Sequence, residues 1–373
     1  MLLGVPKEIK NHEYRVGLTP GSVRELTQRG HRVLVETSAG AGVGFADTDY
    51  LVAGAELVAN AAEVFARAEL IVKIKEPQPD ECRQLRAGQI LFTYLHLAPD
   101  PQQLALLLAS GVTAIAYETV TAPGGGLPLL APMSEVAGRM AIQAGASCLE
   151  KSRGGAGILL GGVPGVAPGR VAILGGGVVG YNAARMALGL GADVTLIERS
   201  GERLRWLDAQ FSGRVRTLFA TRDNIEAACL TADLIVGAVL IPGAAAPRLL
   251  DREQISRLHP GTVLVDVAID QGGCFATSRP TTHADPTYSV DGVVHYCVAN
   301  MPGAVARTST LALNNATLPF VMALADLGWV QALRADPHLR NGLNLHAGQL
   351  TCAPVGEAQG IPTVDAEQVL KII

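Results

Sequence analysis

Where the strand-like runs of the first third of the chain end, ionisable side chains follow. Lys7, Glu8 and Arg15 come after the apolar run 2–5, Lys75 closes the run 70–75, His96 follows 89–95 and Glu118 follows 112–117. In a parallel α/β sheet the carboxyl ends of the strands share one edge, and ligands bind beyond that edge. Four of five strands therefore bring ionisable groups to one place. Arg presents a rigid bidentate fork to a carboxylate, and Lys adds a point charge that can also polarise a carbonyl. His moves protons near neutral pH. Together these groups suit a small anionic substrate. One at a time, each reads equally well as a solvated strand end, and His96 as a structural histidine.

A second set lies in 170–198, RVAILGGGVVGYNAARMALGLGADVTLIE. Gly175, Gly177 and Gly180 fall at G-x-G-x-x-G spacing, with Val178 and Val179 between the last two. Gly175 permits the turn, Gly177 leaves no Cβ between backbone and a pyrophosphate, and Gly180 lets the helix pack close to its strand. The helix N-terminus adds free N–H groups and a partial positive charge. Glu198, eighteen positions after Gly180, ends the second strand where an acid can hold an adenosine ribose. With 42 glycines in the chain, the motif alone could mark a βα turn that binds nothing. Strand, helix, second strand and terminal acid in register point to a dinucleotide.

The elements that must position these groups alternate. Residues 2–5, 31–36, 70–75, 89–95 and 112–117 read as five strands, with helices from Thr19 and Pro20 to about Gly30, over 50–58 and 61–68, and over 101–110. Residues 121–132 read as a linker, after which Ser134 is expected to cap a long helix. Further strands are expected at 215–220, 234–239 and 262–267, then a helix over 308–327 and a tail of short helices and loops that packs back on the first domain. The pattern predicts an α/β protein of two doubly wound domains: a Rossmann dinucleotide-binding domain over 131–303, and a discontinuous substrate domain from 1–130 plus 304–373, with a cleft between them.

Composition narrows the classes. Hydrophobic residues make up 49% of the 373 and charged residues 17%, enough for full cores in both domains. A formal net charge of −4 offers no footprint for nucleic acid. Six scattered cysteines without a C-x-x-C favour reduced thiols and a cytoplasmic setting over a disulfide framework. Cys274 is expected to pack rather than to act as a nucleophile. The N-terminal apolar run is too short for a signal peptide, and no membrane span is expected.

Several long motifs, in order, make the chain resemble the alanine dehydrogenase family, which also includes the NAD-binding portion of nicotinamide nucleotide transhydrogenase. They are VPKEIKNHEYRVGLTP (5–20), VKIKEP (72–77), YLHLA (94–98), APMSE (131–135), the glycine turn, DVAIDQGG (266–273), SRPTTH (278–283) and VANMPGAVARTST (298–310). The resemblance covers essentially the whole chain. It implies NAD as cofactor and L-alanine, pyruvate and ammonium as substrates. By position it implies Arg15 and Lys75 as substrate holders, His96 as general acid/base and Asp270 as second catalytic group. It places Ser134, Glu198, Arg203, Val239, Leu240, Val267, Ala268, Ile269, Asp270, Arg279, Val298, Ala299, Asn300 and Met301 along the cofactor. Glu13 and Glu118 are left as supporting partners. The resemblance also implies a homo-oligomer, a hexamer.

Three departures qualify the match. Glu198 stands where Asp is commoner, Ala220 replaces a hydroxyl-bearing cofactor contact, and Ala323 and Leu327 leave no ligand for the metal that some relatives are described as holding. No metal is expected. Two rivals stay open: a transhydrogenase NAD(H)-binding subunit, expected to lack the Lys75/His96 pair, and a non-catalytic NAD-binding protein on the same fold, expected to have lost its ionisable set.

Overall fold

The computed structural model describes residues 1–239 and 246–372. They form two compact units, Met1–Met133 with Val305–Ile373, and Ser134–Ala304. Among the described residues, fifteen strands form two sheets.

The first unit holds β1 (Leu2–Val5), β2 (Arg32–Glu36), β3 (Glu56–Val58), β4 (Leu70–Val72), β5 (Ile90–Thr93) and β6 (Thr113–Ala116), all parallel. Strands β14 (Leu343–His346) and β15 (Gln349–Leu350) complete an eight-stranded sheet ordered β15-β14-β6-β5-β4-β1-β2-β3. β4, β5 and β6 are buried along their whole length, which only uninterrupted apolar or β-branched runs can tolerate. The strand order reverses between β1 and β4, so the loops that follow them diverge and open a crevice at the carboxyl edge. Arg15 lies on the first of these loops and Lys75 on the second.

The second unit repeats the plan. It contains β7 (Arg170–Leu174), β8 (Asp193–Glu198), β9 (Arg216–Phe219), β10 (Leu234–Gly237), β11 (Val263–Asp266), β12 (Thr287–Val290) and β13 (Val293–Tyr296). Their order is β12-β13-β11-β10-β7-β8-β9, parallel except for the edge strand β12. The reversal here falls between β7 and β10, and the glycine turn leaves β7 at that point.

Five strands in the pattern differ from the sequence reading. The stretch 50–58 is only partly helical: the helix Asp47–Val52 stops, and β3 pairs with β2. A three-residue edge strand has too few positions for a period to show. In the tail, β14 runs antiparallel to β6 and turns into β15. β12 and β13 form a hairpin across Asp291 (φ 52°) and Gly292 (φ 80°), an Asp-Gly turn that was a legible signal. Ser134 is not a cap, because the long helix starts earlier, at Ala131, and runs to Cys148.

The helix Ala306–Ala335, non-helical at Gly328, extends beyond the expected 308–327. Residues 308–325 carry no charge, and Met301–Ala335 is long and apolar enough, by length and composition alone, to cross a membrane. Its inward face is nevertheless polar in part. Asn314 Oδ1 accepts from the Thr19 N–H (2.9 Å) and the Ser22 hydroxyl (2.9 Å), tying the helix to the start of Pro20–Gln28.

Beneath the crevice of the first unit lies a buried charge cluster. Lys73, fully buried, donates from Nζ to Glu8 Oε2 (3.0 Å) and Glu81 Oε1 (2.7 Å). Burial opposes the Lys73 charge, yet two carboxylates hold the ammonium above its ordinary range. Burial raises the Glu8 carboxyl, and one cation shared between two acids does not restore it. Glu8 therefore braces the base of the loops rather than facing the edge. Lys73→Ala should destabilise the protein by roughly 3–5 kcal/mol, since two buried carboxylates lose their cation. Denaturant unfolding of the variant against wild type measures this.

Candidate active site

Arg15 is 2% exposed, so its permanent charge needs an anion. Glu13 supplies it, accepting from Arg15 Nε and Nη2 at 2.6 Å each and from the Arg15 N–H at 3.1 Å. Burial works against ionisation of Glu13, but these bonds and the Arg15 charge outweigh it and hold the carboxyl below its usual range. Arg15 Nη1 lies 3.1 Å from Met133 Sδ.

Lys75 and His96 leave adjacent strands, β4 and β5. Lys75 Nζ is 3.4 Å from His96 Nε2 and 3.8 Å from Glu76 Oε2. Burial opposes the Glu76 charge, but Lys75, His96 and Lys10 together hold its carboxyl below the ordinary value. The Lys75 charge also acts on Glu13, which places the Arg15 pair and the Lys75 pair in one electrostatic neighbourhood. The His96 ring stacks on Tyr94, with centroids 5.7 Å apart and planes at 18°. Tyr94 is pinned in turn by a 2.5 Å hydrogen bond to the Leu129 carbonyl. Permanent cation, second cation and imidazole stand together, as carboxylate capture beside proton transfer requires.

In the second unit the three glycines have three distinct surroundings. Gly175 has φ 104°, and a Cβ there would lie 2.7 Å from the Ala238 carbonyl oxygen and 3.1 Å from Val239 Cγ2. At Gly180 a Cβ would sit 1.8 Å from the Gly175 carbonyl oxygen, so helix Val178–Gly189 could not pack with any side chain there. At Gly177 a Cβ would meet nothing within 4 Å. Gly175 and Gly180 are thus required by the chain itself. Gly177 borders open space at the helix N-terminus, where a pyrophosphate would approach the free N–H groups. Val178 and Val179 form the first turn, and Gly138 packs against the Val179 carbonyl.

The ends of the neighbouring strands supply the rest. Glu198 turns its carboxylate back on the glycine turn: Oε2 accepts from the Gly176 N–H at 2.7 Å, and Oε1 from the N–H groups of Arg199 and Ser200 at 2.8 Å each. Arg203 donates from Nε to the Gly176 carbonyl (2.6 Å) and lies 3.9 Å over the Trp206 ring. Val239, Val267, Ala268, Ile269 and Asp270, and then Val298, Ala299, Asn300 and Met301, follow β10, β11 and β13 at the same carboxyl edge. Asp270 is exposed on the short turn Ile269–Gln271. Arg279 lies toward the sheet margin, 4.0 Å over the Tyr288 ring of β12. Ser134 sits in the long helix just past its first turn. Leu240 lies outside the described residues.

Sequence reasoning overlooked several groups. Asp266, fully buried, accepts from the Ala268 N–H (3.1 Å), the Cys274 N–H (2.8 Å) and the Ser278 hydroxyl (2.5 Å), shaping the loop that carries Asp270. An acid ending a strand that is buried on both faces was the available signal. Lys73 was equally visible as a charge at the end of a central strand. Met133 and Tyr94 stand within motifs already noted, but only the fold shows what they touch. Cys274 is buried, and its thiol is pushed up to about 12, chiefly by burial. Among the described residues, no group of three or more His, Cys, Asp or Glu is placed to hold a metal ion.

Comparison with known proteins identifies the family. The family model described as alanine dehydrogenase/PNT, N-terminal domain, matches residues 4–137, and that for the C-terminal domain matches residues 141–353. An alanine dehydrogenase of Halomonas elongata is 64% identical over 99% of this chain and 100% of its own length. That of Bacillus subtilis is 55% identical, covering 100% of this chain and 98% of the relative. A solved L-alanine dehydrogenase superposes with a TM-score of 0.93 at 53% identity, over 96% of this chain and 99% of its own. A transhydrogenase structure from Sinorhizobium meliloti, at 23% identity and a TM-score of 0.82 over 94% of this chain and 100% of its own, shares the fold. On two matched domains and end-to-end identity above one half, the chain belongs to the alanine dehydrogenase/PNT family.

Proposed function

We propose that this chain catalyses the NAD-dependent, reversible oxidative deamination of L-alanine to pyruvate and ammonia. The observation that carries the reading is the 3.4 Å approach of Lys75 to His96 beside an Arg15 braced by Glu13. The transhydrogenase alternative rests on likeness of fold, and the Lys75/His96 pair it was expected to lack is in place. A non-catalytic role has no use for three such groups held together by buried partners.

Each residue then has a task. Arg15 binds the substrate carboxylate, and Lys75 the oxygen of the keto form. The cradle of Gly175, Gly177, Gly180, Glu198 and the edge loops holds NAD, which when bound takes up or returns hydride at nicotinamide C4. Alanine with its amine already deprotonated loses hydride from Cα and becomes an iminium, whose positive charge Asp270 offsets. His96 takes a proton from the water that adds to that carbon and passes it to the amine; as the C–N bond breaks the new hydroxyl gives its proton to His96, so that pyruvate and ammonia leave. We infer a homohexamer acting in the cytoplasm, where buried thiols stay reduced; sedimentation velocity tests the assembly.

Oxidation of NADH, followed by absorbance with pyruvate plus ammonium and with other keto acids, tests the reaction itself. Preference for a larger keto acid would refute the substrate. Arg15→Ala should raise KM for pyruvate by tens of fold or more, since disrupting a buried charged pair costs roughly 2–5 kcal/mol. Arg15→Lys keeps the charge that offsets Glu13 and isolates the loss of the fork. His96→Ala should instead lower kcat by about 10²–10⁴-fold with NADH affinity near wild type. The wild-type kcat/KM profile should show a bend from this group that vanishes without His96.

Cofactor choice offers a second check. The Glu198 carboxylate stands against a 2′-phosphate by charge and by space, so kcat/KM should be higher with NAD than with NADP. Glu198→Ser should narrow the ratio. Because it also removes the acceptor for the Gly176 N–H, it should not improve turnover with NAD.

A further inference from the structure

The backbone at His96 has a conformation that its side chain disfavours. Its φ is +50°, in the left-handed region where residues other than glycine are uncommon. Something must hold it there, and Glu118 has the geometry to do so. Glu118 lies in the turn Tyr117–Thr119 that follows β6, the parallel neighbour of β5. Its Oε1 accepts the N–H of His96 at 2.7 Å and that of Leu95 at 3.0 Å, and its Oε2 accepts the Leu95 N–H at 3.2 Å. Two successive N–H groups thus converge on one carboxylate, the nest arrangement that selects an anion. From the other side, Gln103 Nε2 donates to the Leu95 carbonyl at 3.0 Å. The peptide before His96 is therefore clamped by a donor and an acceptor from two other elements.

We infer that Glu118 is a positioning residue for the reaction, keeping His96 in its left-handed turn so that the imidazole stacks on Tyr94 and points Nε2 at Lys75. The inference rests on His96 being the acid/base. A relaxed backbone at position 96 would swing the ring away from the 3.4 Å contact with Lys75, and a misplacement of about 1 Å can lower turnover roughly 10²-fold. Glu118 acts through the backbone, and Oε1 alone accepts both N–H groups, so one well-placed acceptor matters more than the charge. Glu118→Gln retains one acceptor oxygen and should keep most of the turnover.

The decisive measurement is a double-mutant cycle on the full-length enzyme with steady-state kinetics and NADH titration. Glu118→Ala should lower kcat by about 10²-fold while NADH affinity stays at the wild-type value. In the His96→Ala background the same substitution should add no further loss, because the group it positions is gone. Should Glu118→Ala fail to fold, Glu118→Met, which fills the space without an acceptor, replaces it in the same cycle. Equal losses from the Glu118 substitution in both backgrounds, or wild-type kcat in Glu118→Ala, would overturn the proposal while leaving His96 as the acid/base. Full turnover in His96→Ala would overturn the His96 assignment, and this proposal with it.

Discussion

A charge taken out of water must meet an opposite charge or a set of hydrogen bonds, and the first unit is arranged around that constraint. Substrate capture calls for cations at the carboxyl edge of the sheet, yet the edge is built on strands buried along both faces. Arg15 is accordingly locked to Glu13, Lys73 to Glu8 and Glu81, and Lys75 lies within reach of Glu76. The bidentate Glu13 contact also fixes the plane of the guanidinium. A fork whose direction is already set loses less freedom when it binds a carboxylate. The cations proposed to bind substrate thus depend on neighbouring carboxylates for their place at the edge.

A second regularity concerns carboxylates that end or closely follow parallel strands. Glu118 after β6, Glu198 at the end of β8 and Asp266 at the end of β11 each accept backbone N–H groups from a loop at the carboxyl edge. Loops leaving a parallel sheet have no ladder partner for their first N–H groups, and each such group left dry is unfavourable. An acid ending a strand satisfies several at once and sets the shape of the turn. In this way the turn at His96, the glycine turn and the loop bearing Asp270 are each defined by a side chain from a strand end.

Much of this was legible in the chain. Strong local patterns carried through: the Pro101–Ser110 helix capped by Asp100, the Pro20–Gln28 helix capped by Thr19, and the β7-turn-helix-β8 unit with its three glycines. What escaped was short or paired at long range. β3 has three residues, and β14 exists only because β6, more than two hundred positions earlier, offers an edge. Ser134 looked like a cap because it precedes a periodic run, but Ala131 and Pro132 already begin the helix.

Residue type and order by themselves determined the alternating α/β plan, the dinucleotide turn and the identity of the ionisable set, because apolar period, glycine spacing and side-chain chemistry are local properties. The tertiary structure alone decided which of those charges pair with one another and how deeply each is buried. Glu8 and Arg15 stand seven positions apart in the same motif, yet one is spent on Lys73 and the other is presented by Glu13. Nothing in their spacing distinguishes them. The difference arises from which strand ends lie side by side once β1 and β4 pair, since electrostatic partnership depends on distance in space and on burial, neither of which is written along the chain.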